Sequence, residues 1–233
     1  MLFRIGMENN VEGRSLAWVL GHPGCFAYGR DSAVALQAVP AAIHDYIAWI
    51  GGYIDEGWLE PGEIEVHLDE TFDVHSINED YELEEGGYEI NAWFRHDWKP
   101  LAADDIAHGL HLLTMSRMEL MQLVEDLTPF QIEEKRPGER WSIAGILGHI
   151  GGAEWWYMDR LGLAYPRKEV PGDPYERLVA IRTHLIKTLP PLVESRQVVG
   201  IDGEFWSPRK LLRRAVWHER DHTEHIRKLL AGT

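Results

Sequence analysis

The run Ser207–Leu230, SPRKLLRRAVWHERDHTEHIRKLL, sets imidazoles where an amphipathic helix would set leucines. Leu211, Ala215, His218, His222, His225, Ile226 and Leu229 follow the i, i+4, i+7 stripe of a core-facing helix, so the histidines are expected to point inward. At 3.6 residues per turn, His218 and His222 lie about 40° apart around the axis and about 6 Å apart along it, within reach of one ion. His225 shares their face but lies roughly 10 Å along the axis from His218, too far for all three to meet at one metal on a straight helix. A further ligand has to come from another part of the chain.

His149, in WSIAGILGHIGGAEWWY, is placed to supply it, at the edge of the apolar face of an earlier helix. Metal sites in bundles are built between facing helices, so His149, His218 and His222 would give three nitrogen ligands and leave at least one coordination position open. An open position implies chemistry or ligand exchange. A lone core histidine is ordinarily a satisfied buried imidazole, whereas a pair at i, i+4 with a third on a neighbouring helix favours a metal. Neutral imidazoles around a divalent ion leave a positive centre that can lower the pKa of a bound water or hold a thiolate, and either gives a nucleophile at neutral pH. Glu154 could orient His149 or act as a base, against a default of surface exposure. Glu219 adjoins His218 but is rotated about 100° off the ligand stripe, so a solvated position competes with a catalytic one. Trp141, Trp155, Trp156, Tyr157, Trp206 and Trp217 could line a pocket beside the metal, although core or dimer packing is the simpler assignment for most of them.

The elements that would carry these residues fall into two textures. Before Lys99-Pro100 the chain reads as strands and one helix. Arg14–Leu20 alternates, and after Gly21-His22-Pro23-Gly24 the run Cys25–Tyr28 can pair back as a hairpin. Asp31 caps a helix bearing Leu36, Val39, Ile43, Ile47 and Ile50, kinked at Pro40 and weakened at Gly51-Gly52. Period-2 runs follow at Ile64/Val66/Leu68 and Tyr88/Ile90/Ala92/Phe94. Residues 1–98 therefore predict a small α+β domain. Residues 99–233 predict a four-helix bundle. Its helices are one around Ile106–Val124 stopping before Pro129, one over Trp141 to about Leu161, one capped by Asp173-Pro174 with Glu176 in a capping box, and one begun by Ser207-Pro208. Arg213, Arg214, Arg227 and Lys228 are expected on its solvated face.

Charge is unevenly distributed between these halves. Residues 1–100 hold 5 Lys/Arg and 19 Asp/Glu, net −14, and residues 101–233 are nearly balanced at −1. An acidic half repels phosphate backbones, which argues against nucleic acid as a partner. No run of 18 apolar residues and no apolar leader occurs, so no membrane association is expected. The one cysteine, Cys25, excludes an internal disulfide and fits a reducing, cytoplasmic compartment.

Two resemblances add to these readings. The segment LAWVLGHPGCFAYGRDSAVALQAVPAAIHDYIAWI, within roughly residues 10–55, looks like the start of the HicB-like antitoxin fold, which implies an interaction module. Over roughly residues 100–230, WSIAGILGHIGGAEWWY and WHERDHTEHI resemble the second-helix His segment and the last-helix H-x-x-x-H of the DinB/YfiT-like family of metal-dependent four-helix bundle proteins. That likeness implies His149, His218 and His222 as ligands of Zn, Ni or Fe, with His225, where many relatives have Gln, and Trp141 lining the pocket or supporting the ligands. It also implies a small-molecule substrate, a low-molecular-weight thiol among the candidates, and a homodimer. The resulting expectation is an enzyme in which a divalent metal bound by the three histidines activates a thiol or water for transfer to, or hydrolysis of, a small molecule. The alternative is a non-catalytic binding or regulatory protein whose metal is structural or vestigial.

Overall fold

The computed structural model describes residues 1–53, 58, 59 and 62–232. Positions 54 and 55, at the end of the stretch likened above to the HicB-like fold, lie outside the described residues. The fold is mixed α+β, a sheet followed by helices. It divides into two compact units, Met1–Lys99 with Val198–Lys210, and Pro100–Gln197 with Leu211–Thr233. Lys99 closes the first stretch of the first unit and Pro100 opens the second unit. Residues 198–210, assigned from sequence to the bundle, fall to the first unit instead.

In the first unit, strands β1 (Leu2–Val11), β2 (Arg14–Val19) and β3 (Phe26–Gly29) form an antiparallel meander; helix α1 (Ser32–Gly51) follows, and β4 (Glu65–Asp73) then pairs parallel to β1. The sheet order is β3-β2-β1-β4. The expected hairpin is present, with Trp18 opposite Phe26 and Ser15 opposite Gly29. Phe3, Ile5 and Met7 of β1 and Leu16 and Trp18 of β2 are buried, as are Ala35, Val39, Ile43, Tyr46 and Ile50 along one stripe of α1. The Asp31 carboxylate accepts from the Val34 N–H at 2.9 Å, the N-cap expected there, and α1 continues past Pro40 to end at Gly51. By length and composition α1 could cross a membrane, and its buried stripe instead gives it the pattern of a core helix.

The run Tyr88–Phe94 departs from expectation. Only Tyr88–Glu89 is a strand, β6, paired with β5 (Ser76–Ile77). Ile90, Ala92 and Phe94 are buried all the same. The Ile90 N–H still donates to the His75 carbonyl at 2.9 Å, but the backbone donors beyond it go to carboxylates rather than to a ladder: Asn91 N to Glu204 Oε1 at 2.9 Å, Ala92 N to Glu8 Oε1 at 2.9 Å, and Phe94 N to Asp97 Oδ2 at 2.9 Å. Side-chain acceptors satisfy buried amides as well as a neighbouring strand does. Glu204 also explains where residues 198–210 belong. It sits on the hairpin β7 (Val199–Ile201) and β8 (Glu204–Trp206), and its carboxylate takes the Asn91 side-chain amide at 2.7 Å and buried Lys210 Nζ at 3.0 Å.

The second unit consists of α2 (Ala103–Val124), the short α3 (Pro129–Glu133), α4 (Ile143–Asp159), α5 (Pro174–Thr188) and α6 (Pro208–Ala231) from Leu211 onward. Asp173 and Ser142 cap α5 and α4 by accepting from Glu176 N at 2.9 Å and Gly145 N at 3.2 Å. Leu120, Val124, Ile132, Ile143, Ile146, Leu147, Ile150, Leu178, Ile226 and Leu229 form one apolar cluster drawing on all five helices. Gly109 lets α2 approach α6, since a Cβ there would meet Leu212 Cδ2 at 2.7 Å.

Among the described glycines of the first unit the tightest backbone approach is at Gly29, where an added Cβ would stand 2.1 Å from Ala35 N and 2.7 Å from Ala35 Cα. Neither atom can rotate away, so Gly29→Ala must push the end of β3 off the first turn of α1. A loss of about 1–3 kcal/mol in urea unfolding is expected for this overpacking; an unchanged midpoint would contradict the packing described.

Candidate metal centre

His149 comes from α4, and His218 and His222 from one face of α6 a turn apart. His149 follows the buried Ile146 and Leu147 and precedes the buried Ile150, so the core-facing turn of α4 carries it inward. His218 is buried, and the other two are partly buried. Their ring nitrogens converge. His218 Nε2 lies 3.0 Å from His149 Nε2 and 3.2 Å from His222 Nε2, and the three donor atoms all fall within 4.8 Å of one another.

Burial lowers the pKa of each ring, so all three are neutral at pH 7. For His149 the neighbouring Arg140 adds to burial; for His218, held well below the ordinary value, His222, His149 and Arg214 add to it. His222 is pushed down to about 3 by burial and then by His149 and His225. Neutral imidazoles present lone pairs, and lone pairs 3.0–3.2 Å apart repel unless a proton or a cation lies between them. Shared protons can satisfy the trio only by loading two donors onto one acceptor, whereas a divalent ion takes a lone pair from each. At metal–nitrogen bonds of about 2.0–2.1 Å, adjacent nitrogens are about 2.9 Å apart in octahedral and about 3.4 Å apart in tetrahedral coordination. The two separations from His218 fall between these values and the third pair of nitrogens lies within 4.8 Å, so the residues fit a divalent ion.

Around the triad, Trp141 stacks on His149 with ring centroids 4.6 Å apart and planes 27° apart, and Tyr157 meets His218 edge-on at 6.0 Å. Arg140 lies 4.4 Å above the Trp141 ring. His225 is not with the ligands: its Nε2 pairs with Glu139 Oε2 at 3.0 Å, and its ring centroid is 6.2 Å from that of His222. The extra turn of helix separates it, as the axial spacing requires.

The carboxylates are placed otherwise than expected. Glu154 is buried, and both its oxygens are held by Arg182, at 2.9 and 3.1 Å to Nε and 2.7 Å to Nη2. A carboxylate so engaged neither orients His149 nor stands free as a base. Glu219 is fully buried rather than solvated, bound by Ser116 Oγ, by Arg117 Nε at 2.6 Å and by Arg182 Nη2 at 2.8 Å. Burial alone would raise the Glu219 pKa, but Arg182 and Arg117 outweigh it and hold the carboxyl below its ordinary value. Arg213 and Arg214 are buried too, not on a solvated face. Arg117, Arg182 and Ser116 escape sequence reasoning, though a signal exists. Arg182 stands four residues after Leu178 and three before Leu185, inside the apolar register of α5.

Residues 112–226, a span that contains all three histidines, match the family model of the DinB superfamily. No curated protein matches the chain. Among solved structures the chain is similar to YfiT from Bacillus subtilis, described as a probable metal-dependent hydrolase with an unusual four-helix bundle topology. The identity is 18%, the TM-score 0.46, and the likeness covers 56% of this chain and 89% of that one.

The lowered imidazole pKa values have a stability consequence in the metal-free protein. Unfolded, each ring titrates near 6.5; folded, each binds its proton only at lower pH, so the unfolded chain holds more protons below about pH 6.5. Stability is therefore full above that pH and falls as pH drops towards the folded values. The melting temperature of metal-free protein should decline from pH 7 to pH 5, and His222→Phe should flatten the decline. An equal slope in the two proteins would contradict the assignment.

Proposed function

We propose that the chain is a metal-dependent enzyme acting on a small molecule, with His149, His218 and His222 holding a divalent ion, zinc, nickel or iron. The observation that carries this reading is the convergence of three neutral imidazole nitrogens from two helices, two of the separations being 3.0 and 3.2 Å. A bound ion would supply Lewis acidity towards a thiol or water at the coordination positions the histidines leave open. The chain's own residues then have distinct tasks. Trp141 and Tyr157 wall the triad with apolar surface and restrict water there. His225, rather than Glu154, takes the proton-accepting role. Glu139 holds a proton on His225 Nε2, which leaves Nδ1 as the acceptor, and the ring is more than a third exposed and so able to exchange with solvent. Low-molecular-weight thiols and small electrophiles are the substrate class the reading favours.

A second reading, in which the HicB-like first unit docks a partner, draws on one further observation. Residues 1–100 carry a net charge of −14, and in the same unit Trp98 and Phe205 are exposed beside Trp93, with ring centroids of the three 4.8–5.8 Å apart. An acidic surface with aromatic anchors suits a basic peptide segment. The two readings concern different units and are compatible.

Purified protein stripped with chelator and dialysed against zinc, nickel or ferrous ion should retain close to one equivalent of at least one metal per chain. His149→Ala and His218→Ala should each retain less than about a tenth of that, since two imidazoles bind far more weakly than three. Metal-loaded wild type should also consume a low-molecular-weight thiol in the presence of a small electrophile faster than the metal-free protein. Wild type that holds under a tenth of an equivalent of every metal would overturn the proposal.

A further inference from the structure

Each long helix of the second unit contributes one charged residue to a single buried cluster: Arg117 from α2, Glu154 from α4, Arg182 from α5 and Glu219 from α6. Two cations and two carboxylates balance, and Glu154, Arg182 and Glu219 are each at most 4% exposed. At the centre is one atom. Arg182 Nη2 lies 2.7 Å from Glu154 Oε2 and 2.8 Å from Glu219 Oε2, so one guanidinium nitrogen ties α4 to α6. These are the two helices that carry the three histidines. Arg182 is itself fixed, with Nε on Glu154 and Nη1 donating to the Leu113 carbonyl of α2. Arg117 closes the ring from the other side, with Nε on Glu219 Oε1 at 2.6 Å and Nη1 donating to the Leu178 carbonyl of α5.

We propose that Arg182 is the positioning residue of the triad, setting the spacing and rotation of α4 against α6 at which His149 meets His218 and His222. The proposal rests on the metal reading above and extends it to residues that touch no ligand atom. Apolar packing is non-directional and tolerates small slides of one helix along another. Around His149, α4 presents few side chains for neighbouring helices to interlock with, since residues 145, 148, 151 and 152 are glycines. A Cβ at Gly152 would meet nothing within 4 Å and one at Gly148 only atoms at 3.7 Å or more, whereas Gly151 is in close contact with α5, where a Cβ would meet the flexible Arg177 side chain at 3.1 Å. A bidentate guanidinium bridge is directional and supplies what glycine leaves out. The lever arms are short: Glu219 adjoins His218, and Glu154 stands about 7.5 Å along α4 from His149. Lysine in place of Arg182 would keep the charge but lose the planar fork that engages both carboxylates together.

The test separates positioning from bulk stability by titrating metal-free protein with cobalt(II) and following its visible absorption, alongside circular dichroism and thermal melting. Arg182→Lys should remain helical, bind cobalt(II) about 10- to 100-fold more weakly than wild type, and give an altered band shape, as the loss of outer contacts to metal ligands does. Glu154→Gln, which keeps the side-chain volume, should shift both readouts in the same direction by less, and it carries the test if Arg182→Lys does not fold. Ile132→Ala, a core truncation on α3, which carries none of the four charges and no histidine, should lower the melting temperature while leaving cobalt affinity and spectrum at wild-type values. Wild-type affinity and spectrum in folded Arg182→Lys or Glu154→Gln would overturn the proposal and leave the triad standing. So would an Ile132→Ala protein that loses affinity in proportion to its stability. Wild type that binds no cobalt would overturn the metal reading and this proposal with it.

Discussion

Two helices must be held at a fixed separation and rotation for three ring nitrogens to share a space smaller than one side chain. His218 and His222 are set relative to each other by the α-helix itself, since a spacing of four residues places them one turn apart on one face. His149 has no such covalent assurance. Its helix is the glycine-rich one, and everything that fixes its 3.0 Å approach to His218 is non-covalent. The apolar cluster of Ile146, Leu147, Ile150, Leu178 and Ile226 brings α4, α5 and α6 together, and the Arg182 bridge between Glu154 and Glu219 fixes where along their lengths they meet.

Burying four charges is not an economical way to stabilise a bundle. Desolvation of each ion costs several kcal/mol, and well-packed apolar residues of the same volume often do as well or better. The quartet is neutral overall and its carboxylate oxygens are hydrogen-bonded, so the cost is largely offset, but the net gain in stability is small. Its advantage is geometrical: a fork of donors accepts one arrangement of two carboxylates, whereas leucines accept many. The same logic accounts for the neutral state of the histidines. Burial that would penalise imidazolium leaves three lone pairs facing one another, an arrangement that a divalent cation relieves.

Much of this is legible in the sequence. The i, i+4 histidines, the caps at Asp31 and Asp173, the hairpin through Gly21-His22-Pro23-Gly24 and the helical second half all follow from local rules of spacing and turn chemistry, and local rules are what a sequence displays directly. Strand β1 is not among the expected strands, although its buried Phe3, Ile5 and Met7 alternate with Arg4 and Gly6. The segment after Glu89 keeps its period-2 burial but is not a strand, because its amides at Asn91 and Ala92 bond to Glu204 and Glu8, partners distant in sequence. Glu154 and Glu219 read as surface or catalytic residues because a helical glutamate is usually solvated. Only the positions of Arg117 and Arg182, within the apolar registers of two other helices, signal that each carboxylate has a buried counter-ion.

The claim on which all of this turns is that His149, His218 and His222 share one ion, and X-ray absorption at the metal edge of zinc-loaded protein measures it most directly. A first shell containing about three nitrogen scatterers at about 2.0–2.1 Å, with the outer-shell pattern of imidazole carbons, is the result expected. A shell of oxygens alone, or of one imidazole among oxygens, would place the ion elsewhere and contradict the account.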